Sequence, residues 1–233
     1  MLPNLIKELQ DKSNPEQAKI LQRFLKTGEG EYGEGDIFLG VKVPEQRKIA
    51  KKYYGLGLYK LQELLNSKTH EHRLTAIIIL GEKYKRAKEE EKENIFNFYL
   101  KNTKNINNWD LVDLSAPGIV GSFLLNKDKK ILYELSRSKN LWEKRIAIIS
   151  TFAFIRKEEF EDVLAISELL LNDEHDLLHK AVGWMLREIG KRDLEVEEEF
   201  LKQHYKDMPR TMLRYAIEKF EEEKRKKYLN GEI

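Results

Sequence analysis

Hydrophobic residues recur at helical spacing along most of the chain, and the helical segments themselves repeat. Segments from five places align on a small or β-branched residue within an apolar stripe: Ala76, Val112, Ala147, Ala181 and Ala216. These anchors lie 36, 35, 34 and 35 residues apart, and a second amphipathic segment fits between neighbouring anchors. A period of about 30–50 residues with two helices per unit is typical of stacked helical repeats. The pattern predicts an all-α fold, a curved α-solenoid of HEAT-like helical repeats without a substantial β-sheet, as a single domain over residues 1–233.

Three stretches depart from this helical pattern. Residues 36–44, DIFLGVKVP, have strand character, and Pro44 is placed to start a helix over EQRKIAKKYY. Residues 28–36, GEGEYGEGD, contain G-x-G-x-x-G, the spacing of a dinucleotide-binding loop. A helical segment precedes them, and their four acidic residues would repel phosphate, so we expect only a connecting loop. Residues 221–233 are predicted to form a charged C-terminal tail.

The composition excludes several classes of protein and site. The chain has no cysteine, which excludes disulfides, thiolate metal sites and a cysteine nucleophile. Its N-terminus becomes charged too early for a signal peptide, and no apolar run approaches the roughly 20 residues that span a bilayer. We therefore expect a cytoplasmic protein without membrane association. Because the net charge is only +2, a nucleic-acid-binding surface would require positive charge gathered on one face.

Residues 176–192 predict an amphipathic helix with an unusual polar face. Lys180, Trp184, Arg187 and Lys191 follow one another at intervals of four, three and four, opposite an apolar stripe. Two interpretations stay open. Trp184 is either a surface residue in cation–π contact with its neighbours, or a stacking group set between cations that bind phosphate.

Arg145 lies in WEKRIAIISTFAFIRK, which is apolar almost all round and predicts a buried central helix. A guanidinium is rarely buried without a partner. Arg145 is therefore expected either to pair with a carboxylate or to emerge in a cleft and meet a phosphate.

Residues 106–126, INNWDLVDLSAPGIVGSFLLN, are unusually poor in charge. The chain is 35% charged, so about seven charges would be expected here, yet only two acidic residues occur. Asn107 or Asn108 can cap a helix, and Asp110 in its first turn suits the positive end of the helix dipole.

Asp113 has no such local explanation. It follows Trp109 by four residues, on the same helical face, and Pro117 should end or kink the helix soon afterwards. Asp113 precedes Arg145 by 32 residues, close to one repeat, so adjacent repeats would carry them. Either the two form a structural ion pair, or Trp109 and Asp113 belong to an aromatic and acidic cleft that holds a cationic group.

The histidines and other reactive residues add no catalytic signature. His175 and His179 have i, i+4 spacing but lack the glutamate of H-E-x-x-H and an evident third ligand. No nucleophile elbow or phosphate-binding loop is present. The sequence predicts neither a bound metal nor a cofactor.

Several motifs together resemble the AlkD-like family of DNA alkylation repair proteins. They are NNWDLVD, LWEKRIAI, HKAVGWMLREIGKRD and YGEGDIFLGVKVP, and the likeness extends over roughly residues 20–220. The resemblance implies a HEAT-like solenoid and a DNA glycosylase that removes cationic alkylated purines, such as 7-methylguanine and 3-methyladenine, without flipping the damaged base. It implies double-stranded DNA with alkylated purines as the partner, and we expect a monomer that associates with the nucleoid when bound to DNA.

The same likeness assigns roles to individual residues. Trp109 resembles the tryptophan that packs against the deoxyribose, Asp113 the catalytic aspartate, Arg145 the arginine of the same cleft, and Trp184 the second cleft tryptophan. An aromatic position of the first helices, often tyrosine in the family, falls on Phe24.

We expect three further cations, in addition to Arg145, to bind DNA phosphates. They are Lys180, Arg187 and Arg214.

Two alternatives remain beside the glycosylase hypothesis. One is a non-catalytic HEAT-repeat protein that binds branched or distorted DNA. The other is a protein–protein scaffold, a common use of helical repeats, which predicts an apolar groove and no salt-dependent DNA binding.

Overall fold

The computed structural model describes all 233 residues, and they form an all-α repeat fold. The chain divides into two compact units, Met1–Ile119 and Val120–Ile233. No strand forms, and the only β-type pairing is an isolated bridge between Ile37 and Thr69. The prediction of an all-α helical repeat protein without a substantial sheet is confirmed.

The first unit contains seven α-helices and a short 3₁₀ turn at Thr103–Asn105. The helices are α1 (Leu2–Asp11), α2 (Pro15–Phe24), α3 (Val43–Lys52), α4 (Leu58–Leu65), α5 (His70–Arg86), α6 (Glu89–Lys101) and α7 (Trp109–Ala116). Helix α5 lies at the centre of this unit, with α3, α4 and α7 packed against it.

The second unit is organised around one long helix. Its helices are α8 (Ser122–Leu124), α9 (Lys130–Ser136), α10 (Leu141–Ser150), α11 (Phe152–Ile155), α12 (Glu161–Leu169), α13 (Asp176–Gly190), α14 (Leu194–His204), α15 (Arg210–Ala216) and α16 (Glu222–Asn230). Helix α13 is central and contacts α10, α14 and α15.

The repeat anchors occupy equivalent places in these helices. Ala76, Val112, Ala147, Ala181 and Ala216 lie on α5, α7, α10, α13 and α15, and all five are buried. The shorter helices between them coincide with the second amphipathic segment of each repeat. A small or β-branched anchor lets neighbouring helices approach closely, which is why the period is visible in the sequence.

Local signals fixed several helix ends as predicted. Asn108 caps α7, because its side-chain oxygen accepts from the Trp109 N–H at 2.8 Å. Pro44 lies in the first turn of α3. Helix α7 ends at Ala116, where Pro117 begins a π-helical segment, Pro117–Gly121.

The segment 36–44 does not extend into a strand because its amides have another partner. The carboxylate of Glu71 accepts from the backbone N–H groups of Leu39, Gly40 and Val41 at 3.0, 2.8 and 3.2 Å. Gly40 has a φ of +83°, and a Cβ there would lie 2.1 Å from the Asn14 carbonyl oxygen. A buried side chain thus satisfies the amides that a neighbouring strand would otherwise use.

The 28–36 loop is a connection between helices, as expected. Gly30 and Gly35 have positive φ angles. The Glu31 and Glu34 carboxylates accept from the Gly28 and Gly30 amides at 2.8 and 3.0 Å. Acidic side chains therefore occupy amides that a phosphate-binding loop would offer to its ligand.

Most of the charged C-terminal segment 221–233 is helix α16. Tyr228 is buried and packs edge-on against Tyr205 and Phe220, with ring centroids 5.4 and 5.7 Å away. Its apolar ring anchors a helix in which six of the eight other residues are charged.

Candidate functional site

Trp109 begins α7 and rests on an apolar cluster of the first unit. Ala18, Leu25 and Phe38 form the buried part of that cluster, and the partly buried indole packs against it. Phe24, which is 61% exposed, meets the indole edge-on with ring centroids 5.5 Å apart. The structure therefore brings Phe24 and Trp109 together, although 85 residues separate them in the sequence.

Asn108 ties this aromatic pair to the end of α2. Its side-chain N–H donates to the Leu25 carbonyl at 3.2 Å, and the residue is completely buried. The backbone of Gly33 passes close to this carbonyl, because a Cβ on Gly33 would lie 2.6 Å from its oxygen. One asparagine thus caps α7 and fixes the position of the backbone that follows Phe24.

Asp113 lies one turn after Trp109 and is half-buried, and its charge acts on a buried hydroxyl pair. Ser115 donates to the Leu111 carbonyl at 2.6 Å, so the Tyr99 hydroxyl donates to Ser115 at 2.8 Å. Burial raises the pKa of Tyr99, and the negative charge of Asp113 raises it further. Tyr99 consequently stays neutral near the negative charge of Asp113.

Asp110, the other acid of this segment, is bound to a histidine. His70 Nε2 lies 2.8 Å from Asp110 Oδ2, and His70 Nδ1 lies 3.2 Å from Asp36 Oδ2. Burial opposes charge on His70, but the bonds to Asp110 and Asp36 outweigh it and raise the pKa of His70 to about 9. The two acids of the segment therefore have different surroundings, and the histidine holds Asp110.

Arg145 is buried in α10 of the second unit, as predicted. Its Nη1 donates to the Leu177 carbonyl at 2.5 Å, at the start of α13. One partner of the guanidinium is thus a backbone oxygen, which the sequence pattern did not indicate.

The polar face predicted on α13 exists, and most of its members contact a neighbour. Trp184 is half-buried, lies 5.9 Å from the Phe152 ring between centroids, and its indole N–H donates to Glu188 at 3.2 Å. Lys180 pairs with Asp176 at 2.6 Å.

The two arginines expected to bind phosphates differ in their surroundings. Arg187 forms an ion pair with Glu218, and only 16% of its side chain is exposed. Arg214, on α15, is exposed to solvent. Arg187 must therefore exchange or share a carboxylate partner to bind a phosphate, whereas Arg214 need not.

Comparison with known proteins agrees with this picture. The sequence model described as DNA alkylation repair enzyme matches residues 5–220. The chain belongs to the DNA alkylation repair enzyme family. The resemblance read from the motifs is therefore confirmed, and membership supports an enzymatic role in repair and binding to DNA.

Solved structures share the fold of this family member at low sequence identity. A protein described as a predicted DNA alkylation repair enzyme from Enterococcus faecalis has a TM-score of 0.70 and 19% identity, over 91% of this chain and 98% of that one. AlkD2 from Streptococcus mutans has a TM-score of 0.58 and 18% identity, over 88% and 99% of the two chains. The smu.31 protein of Streptococcus mutans UA159 has a TM-score of 0.56 and 20% identity, over 76% and 92%. No curated protein sequence matches the chain.

The structure contains neither a metal-binding cluster nor a membrane-spanning helix. No group of three or more His, Asp or Glu side chains is arranged to hold a metal ion. None of its helices combines the length and the apolar character needed to cross a lipid bilayer.

The sequence did not indicate the link between Asp110 and His70. The place of Asp110 in a first turn suggested only an interaction with the helix dipole. The available signal was an acidic residue in the first turn of α7 and a histidine in the first turn of α5. Backbone N–H groups in a first turn have no partner within their own helix, so polar contacts often form there. Nothing in the sequence indicated that these two helix starts meet.

Proposed function

We propose that this family member is a DNA glycosylase that excises cationic N-alkylated purines, such as 7-methylguanine and 3-methyladenine, from duplex DNA without base flipping. The single observation that carries the proposal is the arrangement on α7. Trp109 and Asp113 lie one turn apart on a helix whose only other charge, Asp110, is bound to His70. The carboxylate assigned to the chemistry is Asp113, because it shares a helical face with the Trp109 indole.

The substrate's own chemistry defines what the protein must supply. Alkylation leaves the purine cationic, so the base departs neutral when the bond from C1′ to its nitrogen breaks and the electron pair goes to the base. Positive charge then develops on the sugar as an oxocarbenium ion. A water oxygen bonds to C1′ and loses a proton, leaving an abasic site and free base. No acid is required to protonate the leaving base, so one carboxylate suffices.

Asp113 is proposed to stabilise that sugar cation and to orient the attacking water. A half-buried carboxylate near the buried and neutral Tyr99 acts in a less polar medium than bulk water, which strengthens its attraction for the developing charge. An interaction that is stronger in the transition state than in the ground state raises the rate.

Trp109 is proposed to present its indole face to the sugar. Ala18, Leu25 and Phe38 pack against the indole, and the Phe24 ring meets it with the two ring planes nearly perpendicular. An aromatic face also attracts a cation, so it favours the same transition state.

The second unit is proposed to contribute DNA-binding groups. Trp184 offers a half-buried indole and Arg145 a buried guanidinium. Lys180, Arg187 and Arg214 are proposed to contact phosphates. We expect the protein to act as a monomer in the cytoplasm, on alkylated duplex DNA, without metal or cofactor.

The test is release of free methylated base from methylated duplex DNA, measured by chromatography under single-turnover conditions. Asp113→Asn should lower the rate at least about 100-fold and change DNA affinity by less than about threefold, because it removes transition-state charge stabilisation but little binding. The matched control is Asp207→Asn, an exposed aspartate of the second unit, which should excise like the wild type.

Each outcome separates the hypotheses. An Asp113→Asn variant with the normal rate contradicts the carboxylate role. A wild type that binds distorted DNA but releases no base supports the non-catalytic alternative. A wild type without salt-dependent DNA binding supports the protein scaffold.

A further inference from the structure

We propose that His70 is a positioning residue for the excision reaction: as an imidazolium bridging Asp36 and Asp110, it fixes the first turn of the helix that carries Trp109 and Asp113. The inference rests on the proposed function, and it adds a residue that lies outside the reacting groups. The three side chains are called the His70 bridge below.

The geometry of the bridge defines its protonation state. Both ring nitrogens of His70 lie within hydrogen-bond distance of a carboxylate oxygen, at 2.8 Å from Asp110 and 3.2 Å from Asp36. A carboxylate only accepts, and a neutral imidazole carries a single N–H. Both hydrogen bonds form together only when the ring carries two protons, so the bridge requires a positive charge.

The surroundings of the bridge hold that charge in a nearly dry site. The side chains of His70 and Asp36 are 2% and 5% exposed. Phe38 stacks on the imidazole with ring centroids 4.6 Å apart. Arg73 Nη2 binds the same Asp36 oxygen, and Arg73 Nη1 donates to the Ser67 carbonyl at 2.8 Å. Two cations therefore balance two carboxylates.

The groups that face His70 come from three elements. Asp36 comes from the loop before α3, Arg73 from α5 itself and Asp110 from α7. The neighbouring acid Glu71 is directed elsewhere, because its oxygens accept from the backbone amides of residues 39–41. Loss of the second proton from His70 would break one of its two carboxylate bonds and leave a negative charge without that donor.

The bridge acts on the proposed reaction through the first turn of α7. Asp110 follows Trp109 directly and precedes Asp113 by three residues, so any shift of its backbone moves both. Misplacement of a reacting group by about 1 Å can lower a rate by up to about 100-fold. The bridge also reaches the end of the 28–36 loop through Asp36, and so links that loop to the first turn of α7.

Two measurements test the proposal on the full-length protein. Nitrogen-15 NMR of the imidazole ring, followed from about pH 6 to about pH 10, reports the protonation of His70 directly. Single-turnover excision at saturating methylated duplex DNA, over the same range, reports positioning. The wild type should titrate at His70 near the pKa of about 9 and lose excision rate over the same interval.

Two variants separate positioning from folding. Asp110→Asn keeps the shape of the bridge but removes one charge, so it should lower the pKa of His70, move the alkaline loss of rate to lower pH and reduce the rate at neutral pH about tenfold. His70→Gln should reduce the rate similarly and abolish the alkaline limb. Affinity for undamaged duplex DNA should change by less than about threefold in both.

The matched control is His72→Gln, on the same helix. The His72 ring binds the Ser67 hydroxyl at 2.9 Å instead of a carboxylate, so its loss should leave the pH profile unchanged. Alkaline ring opening of 7-methylguanine is the same for every variant, and comparison among them isolates the protein's contribution. Thermal denaturation shows whether each variant is folded at the assay temperature.

The outcomes distinguish this inference from the proposed function. An active wild type whose Asp110→Asn variant keeps both the rate and the pH profile overturns the positioning role alone. A His70 ring that is neutral at pH 7 overturns the bridge. A wild type that releases no base overturns the proposed function, and the positioning role with it.

Discussion

The ring of Phe24 stands edge-on against the indole of Trp109, with centroids 5.5 Å apart and planes at 83°. Phe24 is 61% exposed, so its ring gains little from burial in the folded chain. An exposed phenyl group that braces a half-buried indole is suited to holding that indole for a ligand. The aromatic position expected from the family likeness is thus in contact with Trp109, and it carries no hydroxyl.

Removal of this brace should affect excision more than stability. We expect Phe24→Ala to lower the single-turnover rate about tenfold and the free energy of unfolding by less than about 1 kcal/mol, because little apolar area is lost. Phe24→Tyr keeps the ring edge and should match the wild type.

Trp109→Ala should lower the rate further, about 100-fold, and remain folded. A Trp109→Ala protein that is unfolded at the assay temperature would instead identify the indole as a structural core residue.

The salt dependence of DNA binding should show which cations of the second unit contact phosphates and how strongly each contributes. A lysine or arginine that contacts a phosphate contributes about one unit to the slope of log affinity against log salt concentration. Arg214→Ala should reduce the slope by about one, whereas Arg187→Ala should reduce it less, because Arg187 already pairs with Glu218. Glu218→Gln should raise affinity. Lys7→Ala, at an exposed lysine of α1, is the control, and equal slopes for every variant would contradict phosphate contacts by these residues.

Glu197 should make stability depend on pH. The residue is 1% exposed and its Oε1 has no hydrogen-bond partner. Burial, and then the charge of Glu198, raise the pKa of Glu197 from 4.5 to about 8, against the opposing effect of Arg187. The folded state therefore holds a proton that the unfolded state has lost, and this group makes stability fall as pH rises from about 4.5 to about 8.

Replacement of this carboxylate should remove that pH dependence. We expect Glu197→Gln to be more stable than the wild type above about pH 8, by roughly 1–3 kcal/mol, and similar to it near pH 4.5. Urea denaturation across this pH range measures the difference. Glu199→Gln, at an exposed neighbour, should follow the wild type at every pH. A Glu197→Gln protein less stable than the wild type at pH 8 would show that the buried charge is compensated.

Gly121, at the end of the π-helical segment, should not tolerate a side chain. A Cβ there would lie 2.1 Å from the Ser150 carbonyl oxygen and 2.8 Å from the Ala153 Cβ, so the second unit would have to deform. We expect Gly121→Ala to cost about 3 kcal/mol of unfolding free energy, measured by chemical denaturation. Gly118→Ala, three residues earlier in the same segment, meets no atom within 4 Å and should be neutral or slightly stabilising. Equal effects at both positions would contradict the close approach at Gly121.

Features that depend on neighbours along the chain were predictable from the sequence. The repeat anchors, the Asn108 cap and the helix start at Pro44 all follow from helical periodicity and from the chemistry of helix ends, which operate within a few residues. The acidic character of the 28–36 loop also identified it correctly as a connection.

Contacts between distant segments were decided by the tertiary structure. His70 meets partners 34 and 40 residues away, Arg187 meets Glu218 at 31 residues, and Arg145 meets a backbone carbonyl at 32. A sequence shows which residues share one helical face, but the rotation and offset between packed helices choose which charges meet. The sequence thus determined the repeat and the candidate residues Trp109 and Asp113. Only packing decided that Asp110 is bound to a histidine, that Phe24 braces Trp109 and that Arg187 has a carboxylate partner, because charge pairing acts over a few ångströms in space regardless of separation along the chain.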